Sequence, residues 1–375
     1  MPRSNAFSFA LGTRIRLELG GVRHVGDECL ALGARSVLLV TDPGVVAAGL
    51  VEPVLTALQT AGVSASVFQQ VDSNPTAENV ERAAVQAQID ECTVLVAVGG
   101  GSPLDTAKGA AILAVLGGRV GDYEGWDLVP GQPLPVVAIP TTAGTGSEVS
   151  FWAVIGDADH RKMSLGSPRL APRVALLDPE LTYTLPPHLT AYTGLDALTH
   201  AIEAYTALSS NPVSDALAIA AVERIGRDLM TAVHTPRDES ARSSLLVAST
   251  MAAAAFNCSD LGAVHCMSEA VGALHNIHHG LANAILLAHV MAFNEPAVLV
   301  KYSEVARALG KPGWSAVEAV RGLVDGLGVP SLANVGVHEE DLPALARLAV
   351  RHPCLPGNPR LITDEDFRSL FREAM

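Results

Sequence analysis

Four residues between positions 196 and 279 could close around a divalent metal: Asp196, His200, His265 and His279. Asp196 and His200 stand four apart in Gly194-Leu-Asp-Ala-Leu-Thr-His200. That spacing stacks a carboxylate and an imidazole on one face of a helix. His265, in Val264-His-Cys-Met, and His279, in His278-His279-Gly280, are separated by what reads as a full helix. One carboxylate and three imidazoles suit Fe(II), Zn(II) or a similar borderline cation, and leave positions open for water or substrate. A plainer reading stands beside this one. Leu195, Leu198, Ile202 and Tyr205 form one stripe of the helix, with Asp196, His200 and Glu203 roughly opposite, as on a solvated face. That polar stripe holds no Lys or Arg, although solvated faces usually mix both signs.

Two loops upstream could handle a phosphate-bearing ligand. Gly99-Gly-Gly-Ser-Pro-Leu-Asp-Thr-Ala-Lys108 follows an apolar run and opens a helix. Its glycines let backbone N–H groups approach a phosphate, and the helix N-terminus adds its positive end. It is not the G-x-G-x-x-G fingerprint, because Leu104 stands where the third glycine belongs, and no G-K-[ST] occurs. Pro140-Thr-Thr-Ala-Gly-Thr-Gly-Ser-Glu148 follows a second apolar run and supplies hydroxyl and backbone donors where open α/β sheets bind nucleotides. Each loop could equally be a turn without a ligand. Asp42 ends a strand where a carboxylate can accept from adenosine ribose hydroxyls and repel a 2′-phosphate, which favours NAD(H) over NADP. Capping the Asp42-Pro43-Gly44 turn is the alternative use of that side chain.

These groups need elements to place them. Residues 36–40, 63–68, 93–98 and 134–139 read as strands alternating with helices, an α/β layer with a parallel sheet. From Pro186 onward only helices are signalled: 215–229, 242–256, 261–274, 281–293, 316–327 and 342–350. The expected organisation is a nucleotide-binding α/β domain over 1–183 and an all-helical, metal-binding catalytic domain over 184–375.

Composition narrows the function. The chain has 375 residues, 49% hydrophobic and 17% charged, which is the make-up of a well-packed enzyme with two domains. A net charge of −14 without clustered Lys or Arg argues against nucleic acid. Five cysteines without a C-x-x-C pair suggest a reduced, cytoplasmic setting. The N-terminus shows no apolar signal region, and the apolar runs 110–116 and 284–290 are too short to span a bilayer. A zinc hydrolase of the H-E-x-x-H type is unsupported, because Asn276 follows His275 where Glu is needed.

Taken together, GGGSPLDTAK, IPTTAGTGSEV, Leu177-Asp-Pro-Glu-Leu181, GLDALTHAIEAY, HHGLANAILLAHVMAFN and the tail from Asn358 to Asp366 resemble the iron-containing (group III) alcohol dehydrogenases, from about Gly20 to the final helix. The resemblance implies a dehydroquinate synthase-like fold with the cofactor in a cleft between two domains, and usually a homo-oligomer. It matches Asp196, His200, His265 and His279 to the metal ligands, with iron favoured over zinc. It matches Gly100, Gly101, Ser102, Asp105, Thr141, Thr142 and Thr145 to cofactor contacts, and Asn74 and Lys162 to the lining of the cofactor pocket. The implied reaction is hydride transfer between NAD(H) and a small primary alcohol or aldehyde, with the metal as Lewis acid on the oxygen. A dehydroquinate synthase-type lyase shares the fold but lacks the THAIEAY and HHGLANA signatures. Phe151, Trp152, Phe256 and Asn257 fall near pocket-facing positions, or are core.

One departure stands out. Many relatives place a histidine four residues after the third ligand, where this chain has Glu269. Helical spacing stacks Glu269 one turn from His265. It could replace the histidine as a proton relay, bind a second substrate hydroxyl, or face solvent. His275 and His278 are further candidates for the relay.

Overall fold

The computed structural model describes residues 6–158 and 161–375. Residues 1–5, on which part of the signal-segment reading bears, lie outside the described residues. The elements of the α/β region are β1 (Arg14–Leu17), α1 (Val25–Ala31), β2 (Ser36–Val40), α2 (Pro43–Ala47), α3 (Val51–Thr60), β3 (Ser64–Phe68), α4 (Ala77–Ile89), β4 (Val94–Gly99), α5 (Gly101–Leu116), β5 (Gly125–Trp126), β6 (Val136–Pro140), β7 (Trp152–Gly156), β8 (Lys162–Gly166) and β9 (Val174–Leu177). Then follow α6 (Pro187–Thr206), α7 (Pro212–His234), α8 (Glu239–Phe256), α9 (Ala263–His275), α10 (His279–Ala308), α11 (Ala316–Gly326), α12 (Leu342–Ala349) and α13 (Asp364–Glu373). The fold class is α/β in the first half and helical in the second.

Two compact units emerge. One comprises Gly12–Thr190 with His234–Thr250; the other comprises Ala191–Val233 and Met251–Met375 with the N-terminal segment ending at Leu11.

In the first unit a six-stranded parallel sheet runs β1-β9-β6-β4-β2-β3. Its inner strands β2, β4, β6 and β9 are apolar runs buried on both faces, and they divide their side chains by the period of two. Leu38, Val40, Leu95 and Ala97 enter the core shared with α4 and α5. Val37, Leu39, Val94, Val96 and Val98 enter the opposite core, with α1 and α3. The chain leaves β2 for β3 on one side and returns to β4 on the other, so strand order reverses there. That reversal opens a crevice at the strands' carboxyl ends. Asp42 follows β2, Gly100 to Ser102 follow β4, and Thr141 to Thr145 follow β6.

The sequence reading did not place β1, β9 or the three-stranded sheet β5-β8-β7. Of the last, β7 (WAVIG) has no polar residue to alternate with, and β8 (KMSLG) alternates over only five residues, so period alone does not reveal them.

In the helical unit, α6 decides between the two sequence readings of its polar stripe. Asp196, His200 and Glu203 are 1%, 5% and 6% exposed, so the stripe is buried rather than solvated. Helix α10 begins at His279 and runs past Pro296 through a break at Val298. By length and composition it could cross a bilayer, yet half of its apolar window is buried in the fold. The run 284–290, short when read alone, is the buried first part of this helix.

Candidate functional site

The helical unit gathers the four candidate ligands. One donor atom from each of Asp196, His200, His265 and His279 lies within 4.8 Å of every other. The paired spacing on α6 supplies Asp196 and His200, the third residue of α9 is His265, and the first residue of α10 is His279. The rings of His200 and His265 stack at 4.7 Å and 24°, and Phe256 lies against His200 at 4.9 Å. Asp196 Oδ1 is 3.9 Å from His200 Nε2 and 3.6 Å from His279 Nε2. Only the His279 side chain is substantially open to solvent, at 32%.

Electrostatics suit a cation here. Burial holds His200 down to about 4 and His265 down to about 3, so both imidazoles are neutral at pH 7, with lone pairs available for a metal. Burial opposes the charge on Asp196, but the three histidines outweigh it and keep the carboxyl below its ordinary range. The Asn283 amide, one turn into α10, shows how closely the acceptors converge. Its Nδ2 faces Asp196 Oδ1 at 2.7 Å, His279 Nε2 at 3.1 Å and His265 Nε2 at 3.4 Å. Two amide protons cannot serve three acceptors, and Asn283 Oδ1 is buried without a partner. The residues fit a divalent metal: one anionic oxygen and three nitrogen donors aimed at one point.

The outer ring nitrogens have carboxylates beside them. His265 Nδ1 donates to Glu203 Oε2 at 2.5 Å, which fixes the tautomer and turns Nε2 toward the cluster. Glu203 also accepts from the backbone N–H groups of Gly262 at 3.1 Å and Val264 at 2.7 Å, so it caps α9 from α6. Burial pushes its carboxyl up to about 7 against the pull of those donors. Glu269 lies one turn beyond His265, and its Oε1 is 3.6 Å from His279 Nδ1. His352 is half-buried beside Glu269, and desolvation lowers its pKa while the carboxylate raises it. His275, by contrast, directs Nε2 toward Asp341 at 3.4 Å, and His278 lies 6.1 Å from the Tyr192 ring.

In the α/β unit the two loops pack together. Gly100 and Gly101 lie against Thr142 and Thr145, and the Thr141 N–H donates to Gly99 O at 2.9 Å. Helix α5 starts at Gly101 with no side-chain cap and no carboxylate in its first turn, the form of helix end that accepts an anion. Ser102 donates to Ser73 O, and Lys162 Nζ donates to Asn74 Oδ1 at 3.0 Å. Asp105 is committed to its own fold, accepting from Ser147 Oγ at 2.5 Å and the Val154 N–H at 3.0 Å. Burial raises its pKa. Asp42 Oδ1 caps α2 by accepting from Val45 N at 2.9 Å, while Oδ2 faces Gly99. Phe151 is core at 3% exposure, and Trp152 packs against Trp126 at 5.2 Å.

Glu203, Asn283 and His352 were not assigned from sequence. The signal for Glu203 was its place on the stripe with Asp196 and His200, and for Asn283 its place four residues after His279. Nothing local marks His352.

The chain matches known proteins along almost its whole length. The model of the iron-containing alcohol dehydrogenases covers residues 12–179, and that of the C-terminal part of the Fe-containing alcohol dehydrogenase family covers 190–375. A choline dehydrogenase of Bacillus subtilis is 36% identical, across 97% of this chain and 94% of its own. An NAD-dependent methanol dehydrogenase of Bacillus methanolicus is 38% identical, across 95% and 96%. The crystal structure of a 1,3-propanediol oxidoreductase superposes with a TM-score of 0.96 at 36% identity, covering 99% of this chain and all of that one.

Proposed function

The chain belongs to the iron-containing alcohol dehydrogenase family, and from that premise we propose that it passes hydride between NAD(H) and a small primary alcohol or aldehyde. The observation that carries the reading is the convergence of Asp196, His200, His265 and His279. These four side chains would hold the metal, with iron favoured over zinc on the family's name. When bound, the metal supplies Lewis acidity toward an alcohol or aldehyde oxygen. Glu203 and Glu269 keep the outer nitrogens of His265 and His279 oriented. Asp196 brings the negative charge that makes the donor set attractive to a dication.

On the cofactor side, the N-terminus of α5 and the hydroxyls of Thr141, Thr142 and Thr145 would receive the pyrophosphate. Asp42 would accept from the adenosine ribose and disfavour a 2′-phosphate. The substrate class follows from relatives named for choline, methanol and 1,3-propanediol, each a primary alcohol.

The test is aldehyde-dependent loss of absorbance at 340 nm, using metal-loaded protein, NADH and a panel of short primary aldehydes. Turnover with several members is expected. No oxidation of NADH with any of them would overturn the proposal.

A further inference from the structure

The tail beginning at Asn358 is far from the four ligands in sequence, yet it reaches the helix that carries one of them. Asn358 is 4% exposed and uses both ends of its amide. Oδ1 accepts from the Ala263 backbone N–H at 3.2 Å and from Asn294 Nδ2 at 2.9 Å. Nδ2 donates to Asn294 Oδ1 at 3.0 Å and to Arg360 O at 2.7 Å. Asn294, itself buried, therefore holds Asn358 through two reciprocal bonds.

Ala263 is the first residue of α9, and its N–H is one of the donors that a helix start leaves without an intrahelical partner. Glu203 takes the donors on either side, from Gly262 and Val264. Glu203 and Asn358 thus close the helix end together, two residues ahead of His265. Neighbouring backbone leaves little freedom: a Cβ on Gly357 would run into Leu261 O, and one on Gly262 would lie 3.1 Å from Asn358 Oδ1. A displaced first turn of α9 would carry His265 with it.

We propose that Asn358, clamped by Asn294, is a positioning residue of the metal centre, fixing the start of α9 and with it the direction of His265. The inference rests on the functional reading above, because it requires a metal at the cluster. Outer groups that orient a ligand typically alter metal affinity by about 10- to 100-fold when removed. Asn358→Ala removes the acceptor for Ala263. Asn358→Ser keeps an oxygen near that donor.

The experiment uses full-length, metal-free protein titrated with Co(II), following chelator competition and the visible absorption of the bound ion. Circular dichroism confirms folding at the assay temperature. Asn358→Ala should bind Co(II) about 10- to 100-fold more weakly than the parent, with altered absorption bands, and Asn358→Ser should recover part of the loss. A folded Asn358→Ala with parental affinity and spectrum overturns the inference. So does failure of both variants to fold, which would make Asn358 a residue of the fold rather than of the centre. A parent that binds no Co(II) overturns the functional reading and the inference together, whereas a parent that binds it while Asn358→Ala binds it equally overturns the inference alone.

Discussion

Glu269 and Asp42 show how one side chain can carry two meanings until its neighbours are known. Helical spacing put Glu269 one turn from His265, and the structure adds that its carboxylate sits 3.6 Å from the outer nitrogen of His279. A carboxylate there orients the ring and raises its basicity as a ligand. Glu269→Gln keeps the shape and removes the charge, so metal affinity should fall about 10-fold, measured by chelator competition. Unchanged affinity and unchanged kcat would leave Glu269 without a part in the site. For Asp42 the structure shows the capping use, with Oδ1 on α2, and leaves Oδ2 toward the β4 turn. Asp42→Gly should raise kcat/KM for NADPH relative to NADH. Stability should change by only a few tenths of a kcal/mol, because Gly is a tolerable N-cap. Equal kcat/KM for the two cofactors in the parent would remove the argument. The ligand set itself was legible, since Asp196 and His200 announce themselves by spacing. Their outer partners were less so: Glu203 stood on the visible stripe, but its bond to His265 crosses from α6 to α9.

At the scale of elements, close approach between helices sets the centre. A Cβ on Gly280 would lie 2.6 Å from Tyr192 O and 3.2 Å from the Cβ of Asp196, so α10 starts in near contact with α6. Gly280→Ala should force His279 away from Asp196. The expected cost is about 1–3 kcal/mol of stability, as for overpacking, together with weaker metal binding. Denaturant unfolding with a metal titration checks both, and an unperturbed variant would contradict the packing account. In the α/β unit Lys108 is a fully buried strut, with Nζ donating to Ser150 O, Ser150 Oγ and Trp152 O, and with Asp105 and Glu148 nearby. Burial lowers its pKa from 10.5 to about 8. Between those values the unfolded chain binds the extra proton, so folding is favoured as pH rises. The stability of the parent minus that of Lys108→Met should rise from pH 8 to 10.5, by up to about 3 kcal/mol. Urea unfolding at both ends of that window measures it, and a constant or falling difference would contradict the burial argument. Buried parallel strands were readable as continuous apolar runs, and long helices because their period persists. Strands β7 and β8 were not, because β7 has no alternation and the alternation of β8 spans only five residues, too little pattern to stand out.

For the molecule as a whole, an α/β unit bears two glycine- and threonine-rich loops at its sheet's carboxyl ends, and a helical unit gathers four metal-competent donors. The central claim is that alcohol and aldehyde chemistry depends on a metal held by Asp196, His200, His265 and His279. The most direct measurement compares NADH oxidation with a short aldehyde by chelator-treated, metal-free protein before and after one equivalent of Fe(II) is added without oxygen. The account predicts no turnover in the metal-free protein, recovery on adding Fe(II), and no recovery in His265→Ala. Full turnover by the metal-free protein would contradict it.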